Sequence, residues 1–279
     1  LAVPTRVWDE YSKYLLGGAF LLLVVVLIPG IGYEVNGSRR WIRLGFMNFQ
    51  VSEATRVMLL MYVASYAVRR SDELRSDFRS FMVPVGVLAA AALLLLGEPD
   101  FGAATVLFAT GLGVLFLAGA RIVHLLVPVV AGSIGLAALA VVSPYRLRRL
   151  TGFLDPWGDP FDSGFQLVQS LIAIGRGEWL GVGLGASIQK LFYLPEAHTD
   201  FVFAVLAEEF GFLGVTVVVG LFALLVTRAL MISREAAQAG QAYQSYVAAA
   251  IGIWLGLQAF VNIGVNMGVL PTKGLTLPL

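Results

Sequence analysis

The 279-residue sequence contains no cysteine and only two histidines, His124 and His198. Disulfides, iron–sulfur clusters, thiolate zinc sites and cysteine nucleophiles are excluded together, and two imidazoles cannot build a multi-histidine metal site. Charge is also scarce: 13% of residues are charged against 58% hydrophobic, outside the range of soluble domains. The net charge of +1 balances 19 basic against 18 acidic residues, so no basic excess marks a nucleic-acid surface and no nucleic-acid partner is expected. Alternating ten-residue strands are missing too. An unbroken run such as Leu21-Leu22-Leu23-Val24-Val25-Val26-Leu27-Ile28 has no place in a membrane β-barrel.

What is present is a series of apolar runs of about twenty residues, the length a helix needs to cross a hydrocarbon core of about 30 Å. Seven spans are expected, at 14–33, 50–68, 81–97, 102–120, 122–143, 201–231 and 245–269. The fold class is therefore all-α, a polytopic transmembrane helical bundle, read as a single membrane domain over 1–279. An odd number of spans sets the two ends on opposite faces, and both ends read as cuts through a larger protein.

Connections are short except for residues 144–200, a length uncommon in a loop without a function. Within it, Phe165 to Ile174 predicts a short amphipathic helix, and the segment is expected to fold back on the membrane domain. Gly181, Gly183 and Gly185 fit neither a dinucleotide fingerprint nor a phosphate loop, so they predict tight turns and close packing. Counted on alternate sides of the spans, Lys and Arg divide nine against nine with Arg56 left inside a span, and the positive-inside rule gives no majority. With the dense Arg69 to Arg79 connection cytoplasmic, the long loop is external, and its bases point to an anionic ligand there. Snorkelling of Arg146, Arg148 and Arg149 to headgroups is the plainer alternative.

Glu53 and Arg56, three apart near the start of the second span, share a helix face and predict an ion pair. Glu98 and Asp100 flank Pro99, where Asp100 suits a helix cap. Asp200 stands where a span begins, in a position to cap that helix with Thr199 or to act as a general base at the edge of a cavity. Glu208 and Glu209 lie about two turns further in; being consecutive, they diverge by about 100°, so only one is expected to face a given cavity. Asn262 and Asn266 share a face and predict hydrogen bonds to a neighbouring helix. The segment Leu270 to Leu279, with two prolines and a glycine, reads as a re-entrant or cavity-lining turn.

The stretches Asn36-Gly37-Ser38-Arg39-Arg40-Trp41-Ile42, Phe49-Gln50-Val51-Ser52-Glu53, Glu98-Pro99-Asp100-Phe101-Gly102, Pro144-Tyr145-Arg146-Leu147-Arg148-Arg149, Asp155-Pro156-Trp157 through Gln169-Ser170, and Leu194 to Glu209 together resemble the SEDS family of peptidoglycan glycosyltransferases. The likeness covers essentially the whole chain, which is similar to the third through ninth of the family's roughly ten spans. Val51 and Phe165 stand where the family usually has Pro and Tyr, and Lys273 with Thr276 suits the division branch of the family better than the elongation branch.

The resemblance implies polymerisation of lipid II, an undecaprenyl-pyrophosphate disaccharide-pentapeptide, into β-1,4 glycan strands for septal wall synthesis at the outer face of the bacterial cytoplasmic membrane. It implies Asp200 as catalytic base, Arg40, Trp41, Arg146, Lys190, His198 and Lys273 as substrate-binding residues, and Glu53, Arg56, Glu208 and Glu209 as structural intramembrane groups. A divalent cation, Mg or Mn, with Asp200 as ligand instead of base, is the alternative role for that residue. Implied partners are a class B penicillin-binding transpeptidase, the FtsQ, FtsB and FtsL proteins, and membrane lipids. The rival function is a lipid II flippase using the intramembrane charges as a polar route, and a recruiting scaffold is a third.

Overall fold

Each of the seven apolar runs contains a helix in the computed structural model, which describes residues 3–35, 38–43, 45, 48–142, 152–162, 164–191, 194–271 and 276–278. In chain order the elements are α1 (Thr5–Glu10), α2 (Ser12–Leu27), β1 (Gly32–Val35), β2 (Ser38–Arg43), β3 (Asn48–Gln50), α3 (Val51–Arg69), α4 (Ser71–Ser76), α5 (Phe78–Gly97), α6 (Phe101–Leu117), α7 (Ile122–Val142), α8 (Phe165–Gly177), α9 (Val202–Gln238) and α10 (Ala242–Asn266). Among the described residues, α5, α9 and α10 are long and apolar enough to cross a membrane unaided, and α2, α6 and the Ile122–Gly135 part of α7 are shorter apolar helical stretches. α3 has the length, 19 residues, but carries Glu53, Arg56 and Arg69.

Helix ends follow local chemistry. Asp77 caps α5 by accepting from the Ser80 amide at 2.9 Å, and Asp100 caps α6 through the Ala103 amide at 2.9 Å, as its place after Pro99 predicts. Three helices end in the same left-handed glycine turn. Gly119, Gly240 and Gly268 have φ of 93°, 72° and 69°, and the following residue's amide returns to the carbonyl five back: Ala120 to Leu115, Gln241 to Ala236, Val269 to Gly264. These are Schellman closures, which only glycine makes without strain.

The chain forms two compact units: Leu1–Val129 with Thr227–Trp254, and Val130–Val226 with Leu255–Leu279. In the first, α2, α3, α5 and α6 bury a continuous apolar core that includes Leu23, Leu59, Val63, Phe81, Leu88, Leu107 and Leu115. Gly111 lets α6 approach α5, since a Cβ there would stand 2.3 Å from Leu88 Cδ1. One end carries a buried polar node in which Ser65 donates to the Asp9 carboxylate, Ser12 donates to Ser65 at 2.9 Å, and Arg69 donates to Ser12 at 3.1 Å.

The sequence expectation for the first span needs correcting. The helix stops at Leu27, and residues expected to continue it enter a three-stranded antiparallel sheet, β1-β2-β3, pairing Tyr33 with Trp41 and Trp41 with Gln50. Pro29 and Gly30, the latter at φ 97°, end the helix, and the alternation of Arg39, Trp41 and Arg43 with Ser38, Arg40 and Ile42 then suits a strand.

In the second unit α8 covers the expected Phe165 to Ile174 and runs on to Gly177. It packs on α9 and α10: a Cβ at Gly177 would lie 1.9 Å from the Ala207 carbonyl, and Ser170 Oγ donates to the Asn266 carbonyl at 2.8 Å. The long connection thus folds back through α8. Leu277 is buried beside α10, and the Thr276 carbonyl accepts from Gln258 Nε2 at 3.1 Å.

Candidate active site

α9 is two helices joined at a break. Gly211 has φ 64° and ψ −161°, so the carbonyls before the break and the amides after it lose their helical partners. In lipid such groups must be satisfied by protein. Residues 178–183 supply the partners: the Val182 and Gly183 amides donate to the Glu208 and Glu209 carbonyls at 2.9 and 3.1 Å, and the Phe212 and Leu213 amides donate to the Glu178 and Trp179 carbonyls at 2.9 and 3.2 Å. Closeness explains the glycines. A Cβ on Gly211 would lie 2.4 Å from the Gly181 amide nitrogen and 2.6 Å from the Gly177 carbonyl oxygen. Gly181, Gly183 and Gly185 all have positive φ, which fits the tight turns their spacing predicts.

The break also accounts for Glu208 and Glu209. Glu208 is fully buried and accepts from Arg176 Nη1 at 3.1 Å, Ser187 Oγ at 2.5 Å, and the Ile188 and Gln189 amides at 3.3 Å. Glu209 receives Lys190 Nζ at 2.5 Å, with the Gly185 and Ser187 amides turned toward it. The two carboxylates are held in one region of the protein. The first part of α9 ends just beyond both of them, at Gly211, and the 185–190 loop wraps around that end, so both carboxylates hold the same loop.

Asp200 sits half-buried on a turn just before α9, whose first helical residue is Val202. Leu194, Ala197 and Phe201 anchor the turn on Ala173 and Ala204. Two side chains of α10 fix its backbone: Asn262 and Asn266 Nδ2 donate to the Asp200 carbonyl at 2.8 and 3.0 Å, and Asn266 Oδ1 accepts the Ala204 amide at 3.2 Å. The asparagine pair therefore reaches a neighbouring helix as its spacing predicts, and Asn266 shares the Ala204 amide at the start of α9 with the Phe201 carbonyl. Thr199 turns its hydroxyl back to Glu196 at 2.9 Å. His198 is exposed on the same turn.

A second constellation lies in the first unit. Strand alternation places Arg40 on the face of β2 opposite Trp41, Arg39 and Arg43. Arg39 pairs with Glu34 at 3.1 Å and Arg43 lies over the Tyr33 ring at 3.4 Å, whereas Arg40 meets the α5–α6 connection. Its Nε donates to the Glu98 carbonyl at 3.4 Å, its Nη2 to the Pro99 carbonyl at 3.0 Å and to Ser38 Oγ at 3.1 Å, and the Asp100 carboxylate is 3.8 Å from Nε. Glu98 is buried, and burial first, then the neighbouring Asp100 carboxylate, push its pKa up to about 8 against the opposing pull of Arg40. Arg56, 1% exposed, pairs with Glu53 at 3.3 Å as expected and lies over the Trp254 ring at 5.0 Å.

Trp41 is half-buried. Of the other expected substrate contacts, Lys190 is engaged by Glu209, and Arg146 and Lys273 lie outside the described residues, as do Arg148 and Arg149. Sequence reading missed Arg176 and Ser187 as partners of Glu208. The signal was there: between Arg149 and Arg228 the chain has only two bases, Arg176 and Lys190, and two buried carboxylates needed both. Among the described residues no three His, Cys, Asp or Glu side chains gather where an ion could be held by protein groups alone.

The family model for the FtsW, RodA and SpoVE type, described as "Cell cycle protein", matches residues 1–279. The "Probable peptidoglycan glycosyltransferase FtsW" of Nitrosococcus halophilus is 60% identical over 272 residues, covering 98% of this chain and 70% of that one. The protein of the same description from Halorhodospira halophila is 56% identical over 279 residues, covering 100% of this chain and 71% of its own. Among solved structures, a chain from "Structural coordination of polymerization and crosslinking by a peptidoglycan synthase complex" matches with TM-score 0.79 and 33% identity over 99% of this chain and 76% of that one. The rod shape determining protein RodA of Thermus thermophilus matches with TM-score 0.68 and 29% identity, covering 99% and 72%.

Proposed function

Because the chain belongs to the FtsW, RodA and SpoVE family of cell cycle proteins, we propose that it builds glycan strands from lipid II with Asp200 as the base. It is a multi-pass membrane protein and a peptidoglycan glycosyltransferase of the division type. In the reaction, the acceptor sugar hydroxyl gives its proton to the Asp200 carboxylate as its oxygen attacks the donor anomeric carbon. The glycosidic C–O bond forms, the bond to the pyrophosphate oxygen breaks with inversion, and the leaving group takes the electron pair. The observation that carries this role is the mounting of Asp200: its backbone is clamped by Asn262 and Asn266 while its side chain stays at a partly exposed position, the combination of fixed geometry and access a base requires.

Charge developing on the pyrophosphate calls for cations. Arg40, Lys190, Arg146 and Lys273 are assigned to that task, with Trp41 and His198 as sugar or headgroup contacts. Lys190 would serve after exchanging Glu209 for phosphate. The long connection faces the periplasm at the division septum, where a class B penicillin-binding transpeptidase cross-links the product and FtsQ, FtsB and FtsL join the assembly. The flippase alternative needs its intramembrane charges to line a route. Arg56, Glu208 and Glu209 are instead each held by a partner, which favours a structural role for them.

The test is polymer formation from lipid II by the full-length protein with its transpeptidase. Asp200→Asn at equal expression should lower the rate at least about 100-fold while the complex still assembles. Polymer at the wild-type rate would remove Asp200 from the chemistry. A flippase predicts the reverse ranking, with neutralised span charges abolishing function and Asp200→Asn sparing it.

A further inference from the structure

Arg40 and Glu98 carry more than the glycosyltransferase reading uses. A guanidinium has five N–H groups. In Arg40 the Nε and both Nη2 hydrogens go to the Glu98 and Pro99 carbonyls and to Ser38, which leaves the two Nη1 hydrogens uncommitted among the described residues. The side chain keeps 24% exposure. Beneath it, the Glu98 side chain is 0% exposed, and among the described residues neither carboxyl oxygen has a hydrogen-bond partner. The charged groups around this connection are Arg40 from β2, Asp100 at the cap of α6, and the Glu53–Arg56 pair of α3, whose Arg56 is felt by Asp100. α2 contributes the apolar Leu27 against Gly97. An ionised Glu98 would add a second negative charge beside Asp100, buried against Arg40.

We propose that Glu98 is a positioning residue for Arg40: as the uncharged acid it leaves the distant Asp100 carboxylate as that guanidinium's one salt-bridge partner among the described residues, so the Nη1 face can take phosphate oxygens of the lipid-linked substrate. Ionised, Glu98 opposes that binding twice, drawing the guanidinium inward and repelling the incoming anion. The idea rests on Arg40 as a pyrophosphate-binding cation and adds a control on it: substrate capture weakens as pH rises through the titration of a buried group.

The experiment uses the full-length protein in complex with its transpeptidase and measures KM for lipid II from pH 6.5 to 9.5. With Glu98 titrating at about 8, wild-type KM should rise about tenfold between pH 7 and pH 9. Glu98→Gln, neutral at every pH, should flatten that rise to within about twofold, a change that a purely structural role would not produce. A Glu98→Gln enzyme that keeps the wild-type alkaline rise overturns the proposal. Arg40→Ala should raise KM at neutral pH and abolish its alkaline dependence. If Arg40→Ala leaves neutral KM unchanged, the assignment of Arg40 itself fails and takes the proposal with it, and the Glu98→Gln profile then separates the two failures. Should the Glu98 variant not fold, competitive inhibition of the wild type by inorganic pyrophosphate decides: Ki should rise with pH although the ligand becomes more anionic, and a Ki that falls overturns the proposal.

Discussion

The residues that hold this site together are glutamates and asparagines whose partners lie far away in sequence. Glu208 binds Arg176, Ser187 and two amides of the same loop, so Glu208→Ala should cost about 3 kcal/mol, discounted for the partial exposure of Arg176, read as a lower midpoint in thermal unfolding of the detergent-solubilised protein. Asn266→Ala removes one of two donors to the Asp200 carbonyl and one of two acceptors for the Ala204 amide together. It should cost about 2 kcal/mol and lower kcat more than it raises KM, because it loosens the mounting of the base. Residue identities were well marked in the sequence, since a charge in an apolar run must be paired or face a cavity. Their partners were marked only in part. Arg56 could be matched to Glu53 by helical spacing, whereas Glu208 meets Arg176 across 32 residues, a distance that no local periodicity encodes. Nor does any pattern announce that Glu98 is buried, because its neighbours Pro99 and Asp100 read as an ordinary turn.

Among the elements, the helices were legible because hydrophobic length decides them, and the sheet and the break were not. The sheet takes over where Pro29 and Gly30 end α2, and its strands are fixed by pairing with β2. The break in α9 was hidden inside an apolar run whose only mark is Gly211, one of many glycines. Gly211→Ala should be costly, about 2 kcal/mol or more, because it puts a side chain at positive φ and into the backbone of residues 177–181. Thermal unfolding of Gly211→Ala beside Gly220→Ala checks this, since a Cβ at Gly220 meets nothing within 4 Å and that helix-interior glycine should lose nothing on replacement.

For the whole molecule, the pH dependence of stability follows from Glu98. Its folded-state pKa, about 8, lies above the ordinary value of 4.5, so the folded protein binds the proton more tightly than the unfolded chain. The contribution is fully favourable below the unfolded value and is lost as pH rises through the folded one. The wild type should therefore lose stability from about pH 5 to pH 8 relative to Glu98→Gln, measured as the difference in unfolding midpoint between the two proteins across that range. A membrane protein is also made in one direction, from its amino terminus, and here the order of manufacture matters. Residues 178–183 leave the ribosome about thirty residues ahead of the 208–213 break whose open amides and carbonyls they close. The splint is thus already synthesised when the fractured helix arrives, and a circular rearrangement of the gene that reversed this order would ask the bilayer to hold the break alone until its partner emerged.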